Sequence, residues 1–173
     1  MKYTLLFFAL IILGGCNTNN NGTVNQEIHS DYEDQTIMIG AINWDGLTKE
    51  PYANWFKPNY LNYPVDTAAL ATIADKMADI EIVVFMGTWC EDSQAQVPQF
   101  YRILDYLRYP LGKMKVMGID KAEDGLIITP EAAEYAIDKV PTFIFFRDGH
   151  ELGRIREYPV KTIEKDMREI IGG

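Results

Sequence analysis

Ile80-Glu81-Ile82-Val83-Val84-Phe85-Met86-Gly87-Thr88-Trp89-Cys90-Glu91-Asp92-Ser93 decides how the rest of this chain is read. Its first half, Ile80 to Met86, is an almost continuous apolar run, which predicts a central strand covered on both faces. Gly87-Thr88-Trp89-Cys90 turns out of that strand. A helix then follows, with Val97, Phe100, Leu104 and Leu107 on its inner face and Pro98 expected to kink it. A cysteine between a strand end and a helix start sits near backbone N–H groups that lack helical partners. Those groups and the helix dipole favour a thiolate. Ser93, three residues on, falls on the same helix face, where its hydroxyl is placed to donate to the sulfur. Trp89 shields one side of the turn. Glu91 and Asp92 work the other way, because like charge disfavours a thiolate, so modest activation is expected. The plainer alternative is a structural cysteine packed as a small hydrophobe.

Outward from this stretch the elements alternate. Thr36 to Ile39 predicts a first strand. Asp66 or Thr67 caps a helix whose Leu70, Ile73, Ala74 and Met77 share one face. Lys115 to Ile119 is a strand, and Thr129-Pro130-Glu131 opens a helix with a cap, a proline and an acid in favourable places. Thr142 to Phe146 and Leu152 to Arg156 flank Asp148-Gly149, a hairpin signal. Ile163, Met167, Ile170 and Ile171 mark a terminal amphipathic helix. The order predicts an α/β fold with a mixed sheet and helices on both faces. Between Trp44 and Pro64 lies an aromatic-rich segment broken by Gly46, Pro51, Pro58 and Pro64. Burial over the domain's edge is the expected use of those rings; an aromatic binding surface is the other.

The turn Trp89-Cys90-Glu91-Asp92-Ser93 resembles the active-site turn of thioredoxin-fold proteins, normally Trp-Cys-x-x-Cys. Pro98 falls at the kinking proline of that family's active-site helix. Val140-Pro141-Thr142 is similar to its cis-proline segment, and Phe145-Phe146-Arg147-Asp148-Gly149 to its apolar strand and hairpin. The resemblance runs from about Thr67 to the C-terminus. It implies a thioredoxin fold: a central mixed sheet with helices on both faces, here with an N-terminal extension. It implies a catalytic Cys90 assisted by Ser93, with Trp89, Val140 and Pro141 binding substrate. A cis Pro141 would bring the Val140 backbone beside Cys90 and offer an edge for an extended segment; a trans proline that merely starts a strand is the alternative.

Two departures from the family redirect the chemistry. Ser93 replaces the second cysteine, so nothing within the turn can expel Cys90 from a mixed disulfide. Val84 stands where many thioredoxins carry a buried acid. Together they point to a monothiol protein rather than a dithiol reductase. A peptide-binding module that has lost the redox cycle, or a thiol sensor oxidised at Cys90, are the alternatives.

The N-terminus belongs to a different problem. After Met1-Lys2-Tyr3, an apolar run from Leu5 to Leu13 ends in Gly14-Gly15-Cys16. The run has the length of a signal-peptide core, and the small residues before Cys16 resemble a bacterial lipobox. We therefore expect residues 1–15 to be a lipoprotein signal peptide and 16–35 a lipidated Cys16 with a flexible tether, Asn- and Thr-rich from Asn17 to Asn25. Residues 36–173 would form the domain, with 36–65 as the extension and 66–173 as the core. An ordinary secretory signal is the alternative. The chain has two cysteines, so lipid on Cys16 leaves Cys90 without a partner for an internal disulfide.

The remaining composition mostly excludes. A net charge of -9 makes a nucleic-acid surface improbable. The two histidines, His29 and His150, form no ligand set with Cys90, and no phosphate-binding glycine loop is present, so no metal or other cofactor is expected. The expected partners are envelope proteins bearing cysteines or disulfides, or a small-molecule thiol. The membrane is a further partner, reached through the lipid anchor. The expected location is the bacterial envelope, facing the periplasm.

Overall fold

The computed structural model describes residues 23–126 and 129–172. The apolar run forms β3 (Ile80–Met86), with five consecutive buried residues from Ile82 onward. Its burial on both faces follows from its place in a six-stranded sheet of order β1-β2-β4-β3-β7-β8. The other members are β1 (Gln26–Ser30), β2 (Gln35–Ile42), β4 (Met114–Gly118), β7 (Thr142–Arg147) and β8 (His150–Arg156). β3 and β4 are parallel and are joined through α4 (Glu91–Tyr106); every other neighbouring pair is antiparallel. A two-stranded ribbon, β5 (Lys121–Ala122) with β6 (Gly125–Leu126), follows β4.

The helices are α1 (Trp44–Leu47), α2 (Ala53–Leu61), α3 (Thr67–Leu70), α4, α5 (Pro130–Glu134) and α6 (Ile163–Gly172). One apolar core gathers Phe56, Leu70, Phe100, Phe143, Phe145 and Met167. A second, on the other face of the sheet, holds Val83, Phe85, Ile119, Ala132 and Ile144. This is the mixed α/β architecture of a thioredoxin fold with an N-terminal extension.

Local chemistry sets the boundaries. Thr129 caps α5 by accepting from the Ala132 N–H at 3.2 Å, and Asp66 caps α3 through Ala69 at 3.1 Å. The β7–β8 turn places Asp148 at φ 52° and Gly149 at φ 76°, the left-handed pair that a two-residue hairpin requires. Pro98 lies inside α4 without ending it.

Three expectations change. The strand order begins at Gln26, not at Thr36, because β1 pairs with β2 over residues assigned above to the tether. β1 is a largely exposed edge strand whose stability comes from its partner, so its own composition carries little signal. The helix expected over 66–77 is two pieces, α3 and a 3-10 turn over Ala74–Asp79, yet Leu70, Ile73 and Met77 are all buried. Ala74, expected on the same face, is exposed, so the spacing found three of the four face residues and missed the helix type, since 3-10 turns also repeat near every third residue. The aromatic segment does more than cover an edge. α2 lies along α4, Tyr52 and Phe56 are buried, and Trp44 meets Phe56, Tyr60 and Tyr101 edge-on at 5.1–5.4 Å.

Glu164 ties this extension to the last helix. It is 1% exposed, and its carboxylate accepts from the Tyr63 hydroxyl and the Asp66 N–H, each at 3.1 Å. Burial, then the nearby Glu164 charge, pushes the Tyr63 hydroxyl far above its ordinary pKa and keeps it a donor. Glu164→Ala leaves both donors unpaired and is expected to cost about 1–3 kcal/mol, read as a lower urea midpoint with an unchanged slope. An unshifted midpoint would mean that water replaces the carboxylate at no cost.

Candidate thiol site

Cys90 stands between β3 and α4 because Gly87 ends the strand and Glu91 begins the helix. It is the N-cap residue, with extended backbone at φ −85° and ψ 119°, and its side chain caps nothing. Its N–H donates to the Gly87 carbonyl at 3.0 Å, and its carbonyl accepts from the Gln94 N–H at 2.9 Å. The half-buried Sγ instead donates to the Val140 carbonyl at 3.6 Å. The peptide bond from Val140 to Pro141 is cis.

The cis proline, the antiparallel hairpin after it and the Val140 backbone beside Cys90 are features the resemblance implies, and the parallel β3–α4–β4 crossover carries them in one sheet. The fold is thioredoxin-like. No family model matches the chain, and no curated protein matches it. Among solved structures it is similar to thioredoxin from Fasciola hepatica, at 22% identity over 61% of this chain and 91% of that one, with a TM-score of 0.36. It is also similar to a protein of unknown function from Pseudomonas aeruginosa, at 15% identity over 72% and 96% of the two chains and a TM-score of 0.36.

The loop carrying Pro141 is braced from two sides. The Pro141 carbonyl accepts from the Glu157 N–H at 2.8 Å, and the Glu157 carbonyl accepts from Gln96 Nε2 of α4 at 2.8 Å. Thr142 Oγ1 donates to the Lys139 carbonyl at 2.7 Å. The thiol and the backbone it faces are thus joined through α4 itself, and their separation is fixed by hydrogen bonds within the fold.

Of the residues singled out from sequence, Trp89, Cys90, Val140 and Pro141 come together; Ser93 takes a different part. Ser93 is wholly buried, and its hydroxyl accepts from the Gly87 N–H at 3.3 Å. It braces the turn from beneath, while the sulfur's partner is Val140. Trp89 packs against Gly87 so closely that a Cβ there would lie 2.5 Å from the indole, which explains the glycine. The indole N–H donates to the Ile119 carbonyl at 2.8 Å. Cys16 lies outside the described residues. His29 pairs with Asp34 at 3.5 Å and His150 begins β8; among the described residues no group of three His, Cys, Asp or Glu side chains is placed to hold a metal.

Four neighbours were not foreseen. Lys121 lays its ammonium 4.6 Å from the Trp89 ring centre and 5.0 Å from that of Tyr32, and pairs with Glu33 at 2.8 Å. Its pKa is raised, chiefly by Glu33, with the charges of Tyr32 and Cys90 adding to the effect, so the ammonium is a fixed positive charge near the sulfur. Tyr32 and Glu33 lie in the β1–β2 turn, which sequence assigned to the tether. On the opposite rim, Tyr158 donates to Asp92 at 2.6 Å, which pushes its hydroxyl up to about 12. That hydrogen bond also engages one of the two carboxylates expected to oppose a thiolate.

Proposed function

We propose that this chain is a lipid-anchored monothiol thiol–disulfide exchange protein of the bacterial envelope, acting through Cys90. The observation that supports it best is a half-exposed thiol at a helix N-terminus, 3.6 Å from the backbone carbonyl that precedes a cis proline. In the proposed step the Cys90 thiolate attacks one sulfur of a substrate disulfide. A new S–S bond forms to Cys90, the old S–S bond breaks, and the second sulfur leaves as a thiolate that takes a proton from water. No net oxidation occurs. Val140 and Pro141 hold the extended substrate backbone, Trp89 walls one side, and Ser93 acts indirectly by bracing the turn. With no second thiol in the turn, release requires an outside thiol that attacks the mixed disulfide. The role is then to isomerise disulfides, to protect substrate thiols or to pass them along a relay.

The anchor rests on the Leu5–Cys16 sequence, and acyl chains on Cys16 would hold the domain at a membrane face. The test is capture of envelope proteins as adducts that dissolve on reduction, using the chain with and without Cys90→Ser. Loss of all such adducts in the variant supports exchange. Equal association by both chains would replace this proposal with a peptide-binding module.

A further inference from the structure

At the far end of α4, about 20 Å from Cys90 by helical rise, the extension and the helix border an open cavity of about 460 Å³. Its size suits a small organic ligand. Trp44 and Tyr60 form an aromatic wall, their rings 5.2 Å apart and near perpendicular, and Tyr101, Tyr109 and Leu111 line the rest with Asp105 and Arg108.

The polar groups at this cavity are unevenly satisfied, and that imbalance indicates the ligand. Tyr109 is committed: its hydroxyl lies 2.9 Å from the Ile80 carbonyl and 3.0 Å from that of Lys113. Asp105 is committed too, pairing with Arg102 at 2.9 Å, while Arg102 lies 5.6 Å over the Tyr60 ring. Tyr101 is only 3% exposed and its ring touches Trp44 and Phe56; its hydroxyl makes no hydrogen bond among the described residues but is not sealed off, so it is open to a partner from the cavity. Burial holds that hydroxyl protonated, so it is a donor. Arg108, held at φ 52° just past the helix, lines the cavity without an ion pair among the described residues. The site therefore offers an aromatic wall, the Tyr101 hydroxyl as a donor, and the Arg108 guanidinium at its exposed rim.

We infer that this cavity binds a small aromatic carboxylate, its ring against Trp44 and Tyr60 and its carboxylate shared by Arg108 and the Tyr101 hydroxyl. An aromatic cation is disfavoured because Arg102 already occupies the face of Tyr60 and neutralises Asp105. A neutral ring fills the wall but leaves the guanidinium unanswered. A bidentate guanidinium–carboxylate pair supplies the discrimination. The site is independent of Cys90, so it stands or falls apart from the exchange reaction.

The test titrates the full chain with phenylacetate, phenylacetamide and phenethylammonium, following the indole N–H resonance of Trp44 by NMR, with that of Trp89 as internal control. Phenylacetate is expected to shift Trp44 saturably while Trp89 stays in place, and to bind about tenfold more tightly than the amide. Arg108→Gln, at an exposed position, should reduce phenylacetate to the level of the amide. Tyr101→Phe, which removes only the hydroxyl, should weaken it about threefold to tenfold. Equal binding of all three compounds, no saturable shift at Trp44, or unchanged affinity in Arg108→Gln would each overturn the assignment.

Discussion

A chain carrying Cys16→Ser is expected to release one thiolate per molecule from a chromogenic aromatic disulfide while folded, and the same chain with Cys90→Ser to release none. The count follows from the sequence: two cysteines, one of them removed. That the reaction proceeds in the folded state follows from the site. Cys90 is only half buried, and its Sγ is engaged by a single long hydrogen bond. Serine is close to isosteric and can donate to Val140 in its place, so the variant should keep its fold and its melting temperature within a few degrees. A folded Cys90 chain that releases nothing, but releases its equivalent in denaturant, would mark the thiol as structural.

Ser93→Cys should have the second large effect, converting a capturing protein into one that releases. Ser93 is one helical turn into α4 and wholly buried beneath the thiol turn, with its oxygen 3.3 Å from the Gly87 N–H. A sulfur at that position attacks the Cys90 side of a mixed disulfide. An internal disulfide forms, the bond to the substrate breaks, and the substrate leaves as a thiolate. Because the attack is intramolecular, adduct lifetime should fall by on the order of a hundredfold or more relative to release by millimolar outside thiol. Loss of the hydroxyl acceptor for Gly87 should cost about 1 kcal/mol of stability. Val84, 1% exposed on β3, leaves no carboxyl there to take the proton of the attacking thiol, so water must accept it and return one to the departing thiolate. Adducts as long-lived as those of the parent chain would show that the two positions are not aligned for relay, and that the likeness of fold does not extend to the two-thiol reaction.

How much of this was legible follows from what each element depends on. β3, α4 and the β7–β8 hairpin are specified locally: an unbroken apolar run, a repeated helical face, and an Asp-Gly pair at left-handed angles. Those elements carry Cys90 and position Pro141, so the core of the site was visible. β1 was not, because a polar edge strand is stabilised by its partner rather than by its own side chains. Tyr32, Glu33 and Lys121 were missed for the same reason, since their meeting over Trp89 requires β1 to pair with β2 so that the β1–β2 turn reaches the segment after β4. Ser93 was placed on the correct face, but which atom its hydroxyl would meet depended on the path of the Gly87 turn. The aromatic extension was expected to pack over the domain's edge; Tyr52 and Phe56 are buried and Trp44, Trp55, Tyr60 and Tyr63 partly so, and that the segment shares a cavity with the end of α4 is a tertiary fact with no sequence period.

The most direct measurement of the central claim is the rate at which Cys90 exchanges with a peptide disulfide in the folded Cys16→Ser chain, divided by the rate in the same chain unfolded, with acid quenching and mass detection of the mixed disulfide. A site built from the helix start, the Lys121 charge and the Val140–Pro141 backbone predicts that the folded chain reacts faster, with the adduct mapping to Cys90. A folded chain that reacts more slowly than the unfolded one would show that the fold protects this thiol rather than employing it, and would contradict the account.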